Sequence, residues 1–265
     1  MTNMNFSSKF KYANIFSLIL FSLSIIFIIF KGLNYGIDFK GGTLLEIKLD
    51  NNNIQIGDIR DSLNRLNLGD INVKNFGKSG NYLINIEKKF SDNQKLITNI
   101  KKSLNSDLQT DINYRRIENV GPKVSSELLK SGIISIGLAL LVMLVYIWFR
   151  FEWQFSLGSI IALFHDVIIT LGFFSALSIE INLSIVAAVL TIVGYSMNDT
   201  VVIYDRIREN LNKFNNLEIN KISNLSINET LSRTLITSIT TLLALLSIFF
   251  FGGEILKGFS LAMIF

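Results

Sequence analysis

The sequence predicts a polytopic α-helical membrane protein that carries one α+β domain outside the bilayer, between its first and second membrane helices. Composition is the first indication: 49% of the 265 residues are hydrophobic and 17% are charged, whereas soluble domains carry about 25% charged residues. The mean hydropathy is correspondingly high, at +0.43. The second indication is a series of apolar runs of the length that a bilayer requires, about 20 residues. The third is the long polar region 31–129, which separates the first of these runs from the others.

Five apolar runs are long enough to span a bilayer. They occupy residues 14–30, 131–149, 155–177, 183–204 and 234–251. The final apolar stretch, 255–265, is about half as long as a span, which predicts a six-helix protein whose sixth helix is incomplete in this sequence. The predicted organisation is therefore a first helix within 1–30, a polar domain at 31–129 and the remaining helices within 130–265. The first run is followed by no small-residue cleavage site, which favours an uncleaved anchor over a signal peptide.

Basic residues in the short loops predict the orientation. Lys9 and Lys11 precede the first run, Arg150 follows the second, and four more basic residues follow the fourth, between 206 and 221. All of them fall on one side of the membrane, and cytoplasmic loops carry the excess of Lys and Arg. The N-terminus is therefore predicted to be cytoplasmic and the polar domain periplasmic. The same placement explains the net charge of +4 by topology, without nucleic-acid binding.

The polar region is predicted to be a small exported α+β domain. Alternating and helical apolar spacings follow each other as strand 43–49, helix 56–66, strands 71–76 and 82–87, helix 93–104 and strand 111–117. This βαββαβ order is the ferredoxin-like arrangement, and the stretch Gly77-Lys-Ser-Gly-Asn81 predicts a hairpin turn between the middle strands. Gly41-Gly42 fits neither a Walker nor a dinucleotide pattern. A binding or spacing module is therefore favoured over a catalytic domain.

The cysteine and histidine counts exclude several kinds of site. The chain has no cysteine and one histidine, so it can form no disulfide, no cysteine-based metal site or nucleophile, and no site with several histidines. No metal and no cofactor is predicted.

An Asn-Asp pair lies inside the fourth apolar run, where a carboxylate is costly. Translocon-based scales put an Asp at a helix centre at about 2.5–3.5 kcal/mol, so an acid there predicts ion or proton transport. At helical spacing Tyr195, Asn198 and Asp199 share a mostly polar face. Arg233, which opens the fifth run, is the predicted counter-charge. A movement of Arg233 would switch Asp199 between its protonated and its ionised form.

The third run carries a second ionisable pair, His165 and Asp166, near its middle, and Thr170 lies one turn further on the same face. Three neighbouring spans thus each present a polar or ionisable face. The pattern predicts a proton relay with six candidate residues: His165, Asp166, Tyr195, Asn198, Asp199 and Arg233.

A structural interpretation stays open for the ionisable candidates. His165 can be a hydrogen-bonded packing residue, Asp166 can bond neighbouring backbone, and Asp199 can be a static ion-pair partner that holds spans together. Arg233 can extend to the cytoplasmic interface as an ordinary positive-inside residue.

Seven short motifs resemble, in order, those of the SecF family of subunits of the bacterial Sec protein translocase. They are Gly36-Ile-Asp-Phe-Lys-Gly-Gly-Thr43, Val120-Gly-Pro-Lys-Val124, Arg150-Phe-Glu-Trp153, His165-Asp-Val-Ile-Ile-Thr170, Gly194-Tyr-Ser-Met-Asn-Asp-Thr-Val-Val201, Asp205-Arg-Ile-Arg-Glu-Asn210 and Ser232-Arg-Thr-Leu-Ile-Thr-Ser238. Each motif alone is weak. Together they extend over nearly the whole chain.

The resemblance implies a fold and a set of partners. The family has six transmembrane helices with one periplasmic, ferredoxin-like domain between the first two, and is related to the resistance-nodulation-division transporters. Its members work with SecD and assist the SecYEG channel after the SecA ATPase, and they use the proton gradient to pull exported protein outward. YajC, YidC, the translocating unfolded polypeptide and the lipid bilayer are the further partners expected. The family's proton-transport acid and arginine match Asp199 and Arg233.

The predicted function is an accessory subunit of protein export in the bacterial inner membrane, driven by the proton-motive force and without covalent chemistry of its own, hence not an enzyme. Two alternatives stay open. One is a half-size small-molecule exporter of the same superfamily, and the other is a purely structural factor in translocon assembly.

Overall fold

The computed structural model describes residues 4–49, 54–66, 68–75, 80–87, 93–214 and 216–265. The chain forms two compact units, one built from Met1–Asn34 with Ile133–Phe265 and the other from Tyr35–Gly132. In chain order the elements are α1 (Phe10–Lys31), α2 (Ile37–Lys40), β1 (Gly42–Leu49), α3 (Ile56–Asn64), β2 (Ile71–Asn75), β3 (Asn81–Ile86), α4 (Asn93–Leu108), β4 (Ile112–Val120), α5 (Pro122–Arg150), α6 (Trp153–Leu177), α7 (Leu183–Lys213), α8 (Ile219–Phe251) and α9 (Glu254–Ile264).

Five helices in the described part of the chain are long and apolar enough to cross a membrane, and they make the chain a multi-pass membrane protein. They are α1, together with the 3-10 turn Ser7–Lys9 that precedes it, α5, α6, α7 and α8. Each contains one of the five predicted spans, so those predictions are confirmed. The short final stretch is also helical, as α9.

Three of these helices extend well beyond the predicted apolar runs, and α5 is one of them, since it begins at Pro122 and its run begins at 131. α7 continues to Lys213 and α8 begins at Ile219, whereas the runs end at 204 and begin at 234. Polar bonds join the extensions of α7 and α8: the Asn210 amide donates to Ser226 Oγ at 3.0 Å and to Glu229 Oε2 at 2.7 Å. Hydropathy marks only the part of a helix that suits hydrocarbon, so it misses polar helical turns of this kind.

α1 and α6 pack closely through small residues. A Cβ added to Gly172 of α6 would overlap the side chain of Ser24 on α1, and Ser175 Oγ donates to the carbonyls of Phe27 at 2.9 Å and Gly32 at 2.6 Å. Such small-residue contacts are the usual means by which membrane helices approach each other. They hold α1 against α6 over the half of α1 that precedes the polar domain.

An apolar cluster joins α5, α6 and α7 on the other side of α6. Its buried members are Leu140, Ile147, Phe151, Leu163, Val167, Val189, Val193 and Met197. α6 therefore lies between α1 and this cluster, and its polar residues are held between packed helices.

The Tyr35–Gly132 unit is an antiparallel four-stranded sheet with the order β2-β3-β1-β4, and two helices, α3 and α4, that connect its strands. Its core consists of strand and helix side chains, with Leu45, Ile47, Ile59, Leu63, Ile84, Ile86, Ile100 and Leu104 completely buried. The predicted strands and helices are observed, with shifted ends. β4 continues to Val120 because its last residues pair with the start of β1, Val120 opposite Gly42. β2 and β3 pair antiparallel, but residue 76 of the predicted strand and residues 77–79 of the predicted turn lie outside the described residues.

The Gly41-Gly42 pair has a structural explanation. Both residues have positive φ angles, +79° and +128°, which L-residues with side chains rarely adopt. A Cβ on Gly42 would also overlap the carbonyl oxygen of Ile86 on β3. The pair therefore lets the chain turn from α2 directly into the central strand β1.

Candidate functional site

The six predicted site residues lie on three helices and form three separate groups. His165 and Asp166 are on α6, Tyr195, Asn198 and Asp199 are on α7, and Arg233 is on α8. The first group is His165 with Asp166 and connects α6 to both of its neighbours. The second is Tyr195, which connects α7 to α8. The third is Asn198, Asp199 and Arg233, and it contains the predicted charge pair.

The first group is a chain of hydrogen bonds around the His165–Asp166 pair. His165 Nδ1 lies 3.0 Å from Asp166 Oδ1, and His165 Nε2 lies 2.5 Å from Ser17 Oγ on α1. Ser196 of α7 donates from Oγ to Asp166 Oδ2 at 2.7 Å. The Phe21 ring stacks on the imidazole, with ring centroids 5.9 Å apart. Both side chains of the pair are half-buried. Their bonds to Ser17 and Ser196 connect α6 to α1 and to α7.

Ser17 and Ser196 were not among the predicted site residues. Ser196 lies within one of the family-like motifs, directly after Tyr195, but its type alone carried no signal. Thr170 lies one turn beyond Asp166, as predicted, yet its hydroxyl donates to the Asp166 backbone carbonyl at 2.8 Å and not to the carboxylate.

The second group joins α7 to α8 through Tyr195. Its hydroxyl lies 3.0 Å from the Thr237 carbonyl and 3.0 Å from Thr241 Oγ1. The predicted polar faces of the two helices therefore meet at this tyrosine. Thr240 takes no part: it is exposed and its hydroxyl donates to the carbonyls of its own helix.

The third group contains Asp199, Asn198 and Arg233. The Asn198 amide donates to Asp199 Oδ1 at 3.3 Å, and Asp199 is half-buried. Arg233 is exposed, and within the described ranges no ion pair of 4.0 Å or less includes it. The guanidinium is still near enough for its charge to act on the Asp199 carboxylate. The predicted counter-charge is thus present as a neighbour, without a direct bond.

A cavity of about 380 Å³ lies beside the first two groups. His165, Asp166, Thr170, Tyr195 and Ser196 form its polar lining, and apolar residues of α1, α6, α7 and α9, together with Phe265, form the rest. A cavity of this size has room for several water molecules, and its polar groups can bond them.

A charged cluster at the adjoining ends of α5 and α7 was also missed. Asp205 Oδ1 accepts from Arg150 Nη2 at 3.1 Å and from Arg208 Nη2 at 2.9 Å. Both guanidinium groups also lie over the Phe151 ring, at 4.9 Å and 5.3 Å from its centroid. These residues occur in two of the family-like motifs, which was the available signal. Their mutual bonds fasten the α5–α6 turn to α7.

The chemistry available to these groups is hydrogen bonding and proton exchange. No group of three or more acidic or histidine side chains that could hold a metal ion occurs among the residues that the structure describes. An acid, an imidazole and several hydroxyls between membrane-length helices are the side-chain types found in proton relays.

Comparison with known proteins identifies the family. The family described as "Protein export membrane protein SecD/SecF, C-terminal" matches residues 100–265, and the "SecD/SecF GG Motif" matches residues 26–52. The chain is 47% identical to the protein translocase subunit SecF of Rickettsia felis over 99% of its own length and 84% of that protein. It is 46% identical to SecF of Rickettsia rickettsii with the same coverage.

Two solved structures are similar over nearly the whole chain. The crystal structure of SecDF, a translocon-associated membrane protein from Thermus thermophilus, superposes with a TM-score of 0.88 at 35% identity. SecDF in its super-membrane-facing form gives 0.69 at 35% identity. In both cases the match includes 98% of this chain but only 36% of the SecDF chain. By family profile, by sequence identity and by structure, the chain belongs to the SecF family of protein translocase subunits.

Proposed function

We propose that this protein is an accessory subunit of the Sec protein-export machinery, which acts with a SecD partner to couple the proton-motive force to late translocation of proteins across the bacterial inner membrane. One observation carries the proposal: Asp199 is a half-buried carboxylate on a membrane-length helix, with the charge of Arg233 acting on it from α8. An intramembrane acid with a cationic neighbour is a functional site by default. Family membership supports the export context.

The SecD partner is supported by polar groups that this chain leaves uncovered. Asn198 and Arg233 are exposed, although they lie on helices long enough to cross a membrane. Polar residues inside a membrane almost always face protein or a water-filled cavity. A second helical bundle against α7 and α8 would provide that environment. The SecDF chain, of which this chain matches about a third, has the length to contain one.

The proposed orientation has a cytoplasmic N-terminus and a periplasmic domain at 31–129. It rests on the basic residues of the loops. The element order of the Tyr35–Gly132 unit and its sheet order, β4-β1-β3-β2, support a ferredoxin-like domain. α9 is assigned as the beginning of a sixth membrane helix.

Proton movement would supply the energy. Each charge that moves down the membrane potential releases about 2.3 kcal/mol per 100 mV. Uptake and release at Asp199 would change its attraction to Arg233 and thus favour different packings of α7 and α8. The contribution of this chain is therefore to bind, orient and release a proton. SecYEG, with SecA acting before it, YajC, YidC and the translocating polypeptide are the further partners in this proposal, and no cofactor is assigned.

The test is the substitution Asp199→Asn in the assembled complex. Export of a secretory precursor into inverted membrane vesicles is measured with and without a proton gradient. We expect the gradient-stimulated part of export to be lost, because an amide cannot take up and release the proton. Glu209→Gln is the matched control: it neutralises an acid on the same helix that is already paired with Arg206 at 2.6 Å, and stimulation should persist.

Other outcomes favour the alternatives. Unchanged gradient stimulation in Asp199→Asn contradicts the relay and favours a structural assembly factor. Loss of small-molecule efflux on deletion of the chain, with normal secretion, favours a half-size exporter.

A further inference from the structure

Four polar side chains form an uninterrupted series of hydrogen bonds across three membrane-length helices. Ser17 on α1 contacts His165, His165 contacts Asp166 on the same helix α6, and Ser196 on α7 donates to Asp166. The three distances are 2.5, 3.0 and 2.7 Å. The series contains the chain's single histidine and does not include Asp199 or Arg233.

The partners determine where the protons lie in this series. When Asp166 is ionised its carboxylate can only accept, so the bond requires His165 Nδ1–H to donate. Nε2 of the neutral ring must then accept from the Ser17 hydroxyl. Uptake of one proton at Nε2 reverses that last bond, since Nε2 becomes a donor and Ser17 must accept. Uptake at Asp166 Oδ2 instead makes that oxygen a donor, so the bond with Ser196 reverses. Either event changes the bond to a neighbouring helix.

α1 and α6 are fastened to each other independently of this series. Ser175 bonds two carbonyls near the end of α1, Lys31 Nζ donates to the Ala176 carbonyl at 2.6 Å, and Gly172 admits Ser24 at close range. The two helices are therefore expected to move as one body. The connection of the histidine–aspartate pair to α7 is different, because it consists of the single bond from Ser196.

α7 also carries the proposed proton site. Ser196 and Asp199 are three residues apart, so they lie on neighbouring positions of one helix face. α1, at the other end of the series, ends at Lys31 and is followed within four residues by the Tyr35–Gly132 unit. The series thus connects the helix that bears Asp199 to the helix that leads into the polar domain.

We propose that His165 and Asp166 form a second proton-binding site. Through Ser17 and Ser196 this site links the α1–α6 pair to α7. It transmits proton uptake from α7 to α1, the helix leading into the exported domain. This role rests on the proposed function, which it extends from Asp199 to a second proton-binding site. The step involves one proton from water and no other bond exchange. Ser196 is a positioning residue in it, because it acts through the Asp166 carboxylate.

Other titratable groups around the pair are few. Tyr195 lines the same cavity, while Leu20 of α1 and Ala262, Met263 and Phe265 at the end of the chain are uncharged. The α5 side chains that pack against this part of α6, including Leu140 and Met143, are apolar. Among the cavity-lining residues that the structure describes, Tyr195 is thus the one titratable side chain besides the pair.

The single histidine makes the test direct. The chain is labelled with ¹⁵N-histidine, assembled with unlabelled SecD partner in lipid bilayers, and the two imidazole nitrogens of His165 are followed by solid-state NMR as a function of pH. In the parent protein we expect the neutral ring to carry its proton on Nδ1. In Asp166→Asn the ring loses the anionic acceptor at Nδ1, so the neutral ring should no longer be confined to the Nδ1–H tautomer.

The linking role is tested by Ser196→Ala and Ser196→Thr, with gradient-stimulated export measured beside the NMR titration. Ser196→Ala should leave His165 able to titrate but reduce gradient-stimulated export, and Ser196→Thr, which keeps the hydroxyl, should restore it. Ser159→Ala is the matched control, because Ser159 is a buried serine of α6 whose hydroxyl bonds the carbonyl of Phe155 in its own helix. It should change neither readout.

Two results would overturn the proposal. One is a His165 tautomer that Asp166→Asn does not change, and the other is export in Ser196→Ala equal to that in Ser159→Ala. Asp199→Asn, measured in parallel, distinguishes a failure of the second proton-binding site from a failure of the proposed function. If Asp199→Asn abolishes stimulation while Ser196→Ala does not reduce it, only the second site fails. If Asp199→Asn also retains stimulation, the proposed function itself fails.

Discussion

Two tyrosines of the α+β unit show how the partner of a hydroxyl decides its effect on stability. Tyr82 on β3 donates from its hydroxyl to the Ile54 carbonyl at 2.6 Å. The Tyr114 hydroxyl on β4 is buried and has no hydrogen-bond partner in the described part of the chain, although the Lys101 ammonium lies over its ring at 4.9 Å from the centroid. A satisfied buried hydroxyl stabilises a fold, whereas an unsatisfied one destabilises it.

We therefore expect opposite results from the same chemical change. Tyr82→Phe should lower the free energy of unfolding of this unit by about 1 kcal/mol, and Tyr114→Phe should raise it by about 1 kcal/mol. Hydrogen exchange of the β1 amides in the full chain measures both, because β1 is the central strand and opens only with the unit. A loss of stability in Tyr114→Phe as large as that in Tyr82→Phe would show that the Tyr114 hydroxyl has a partner.

The ionisation of Tyr114 checks the same interpretation. Burial raises the pKa of the Tyr114 hydroxyl from 10.0 to about 12. Because the pKa is raised in the folded state, ionisation of Tyr114 adds no cost below pH 10 and lowers the stability of the unit as the pH rises from 10 through about 12. Ultraviolet titration of tyrosinate should accordingly lose its latest component in Tyr114→Phe and keep it in Tyr82→Phe.

Part of the candidate site could not be predicted from the types of its single residues. Asp199, Asp166 and His165 were found because ionisable groups are expensive inside a membrane. Ser17 and Ser196 were not found, since a serine in a membrane helix can bond a carbonyl of its own helix, as Ser159 does. Only the three-dimensional arrangement distinguishes a serine that links helices from one that does not.

At the scale of elements, sequence patterns predicted the type of each helix and strand better than its ends. Apolar runs identified the five membrane-length helices, because hydrocarbon length fixes the signal. They could not identify the polar continuation of α7 to Lys213 or of α8 back to Ile219, which is stabilised by bonds between Asn210, Ser226 and Glu229. β4 likewise continues beyond its alternating pattern because β1 offers it a pairing edge.

The close packing of α1 on α6 gives a prediction at this scale. Gly172→Ala would place a methyl group against Ser24, which forces the helices apart and should destabilise the chain by about 1–3 kcal/mol. Gly137→Ala on α5 is the matched control, because nothing lies within 4 Å of the added carbon and alanine favours a helix interior by about 1 kcal/mol. The thermal midpoint of the full chain in detergent should therefore fall in the first variant and rise or stay level in the second. Equal midpoints would show that α1 and α6 are not in close contact.

At the scale of the whole molecule, the distribution of exposed residues differs between helices. α5 exposes apolar side chains such as Leu138 and Leu141, at 56% and 57%, which suits contact with lipid. α7 and α8 also expose the amide of Asn198 and the guanidinium of Arg233. Strongly polar groups at membrane depth almost always lie against protein or water. The polar faces of α7 and α8 therefore predict the surface on which the proposed SecD partner lies.

Photo-cross-linking in the membrane tests this surface. A photoreactive amino acid is introduced at Asn198 or Thr240, and in control variants at Leu138 or Leu141, in cells that contain the complete export machinery. We expect the first two positions to cross-link to the SecD partner, because the partner must cover the polar groups of α7 and α8. The α5 positions should give lipid adducts or no product. Cross-links to the partner from α5 but not from α7 or α8 would move the interface to the apolar face. The exposed Arg233 would then have to be satisfied by water or lipid headgroups, and the proposed position of the SecD partner against α7 and α8 would be wrong.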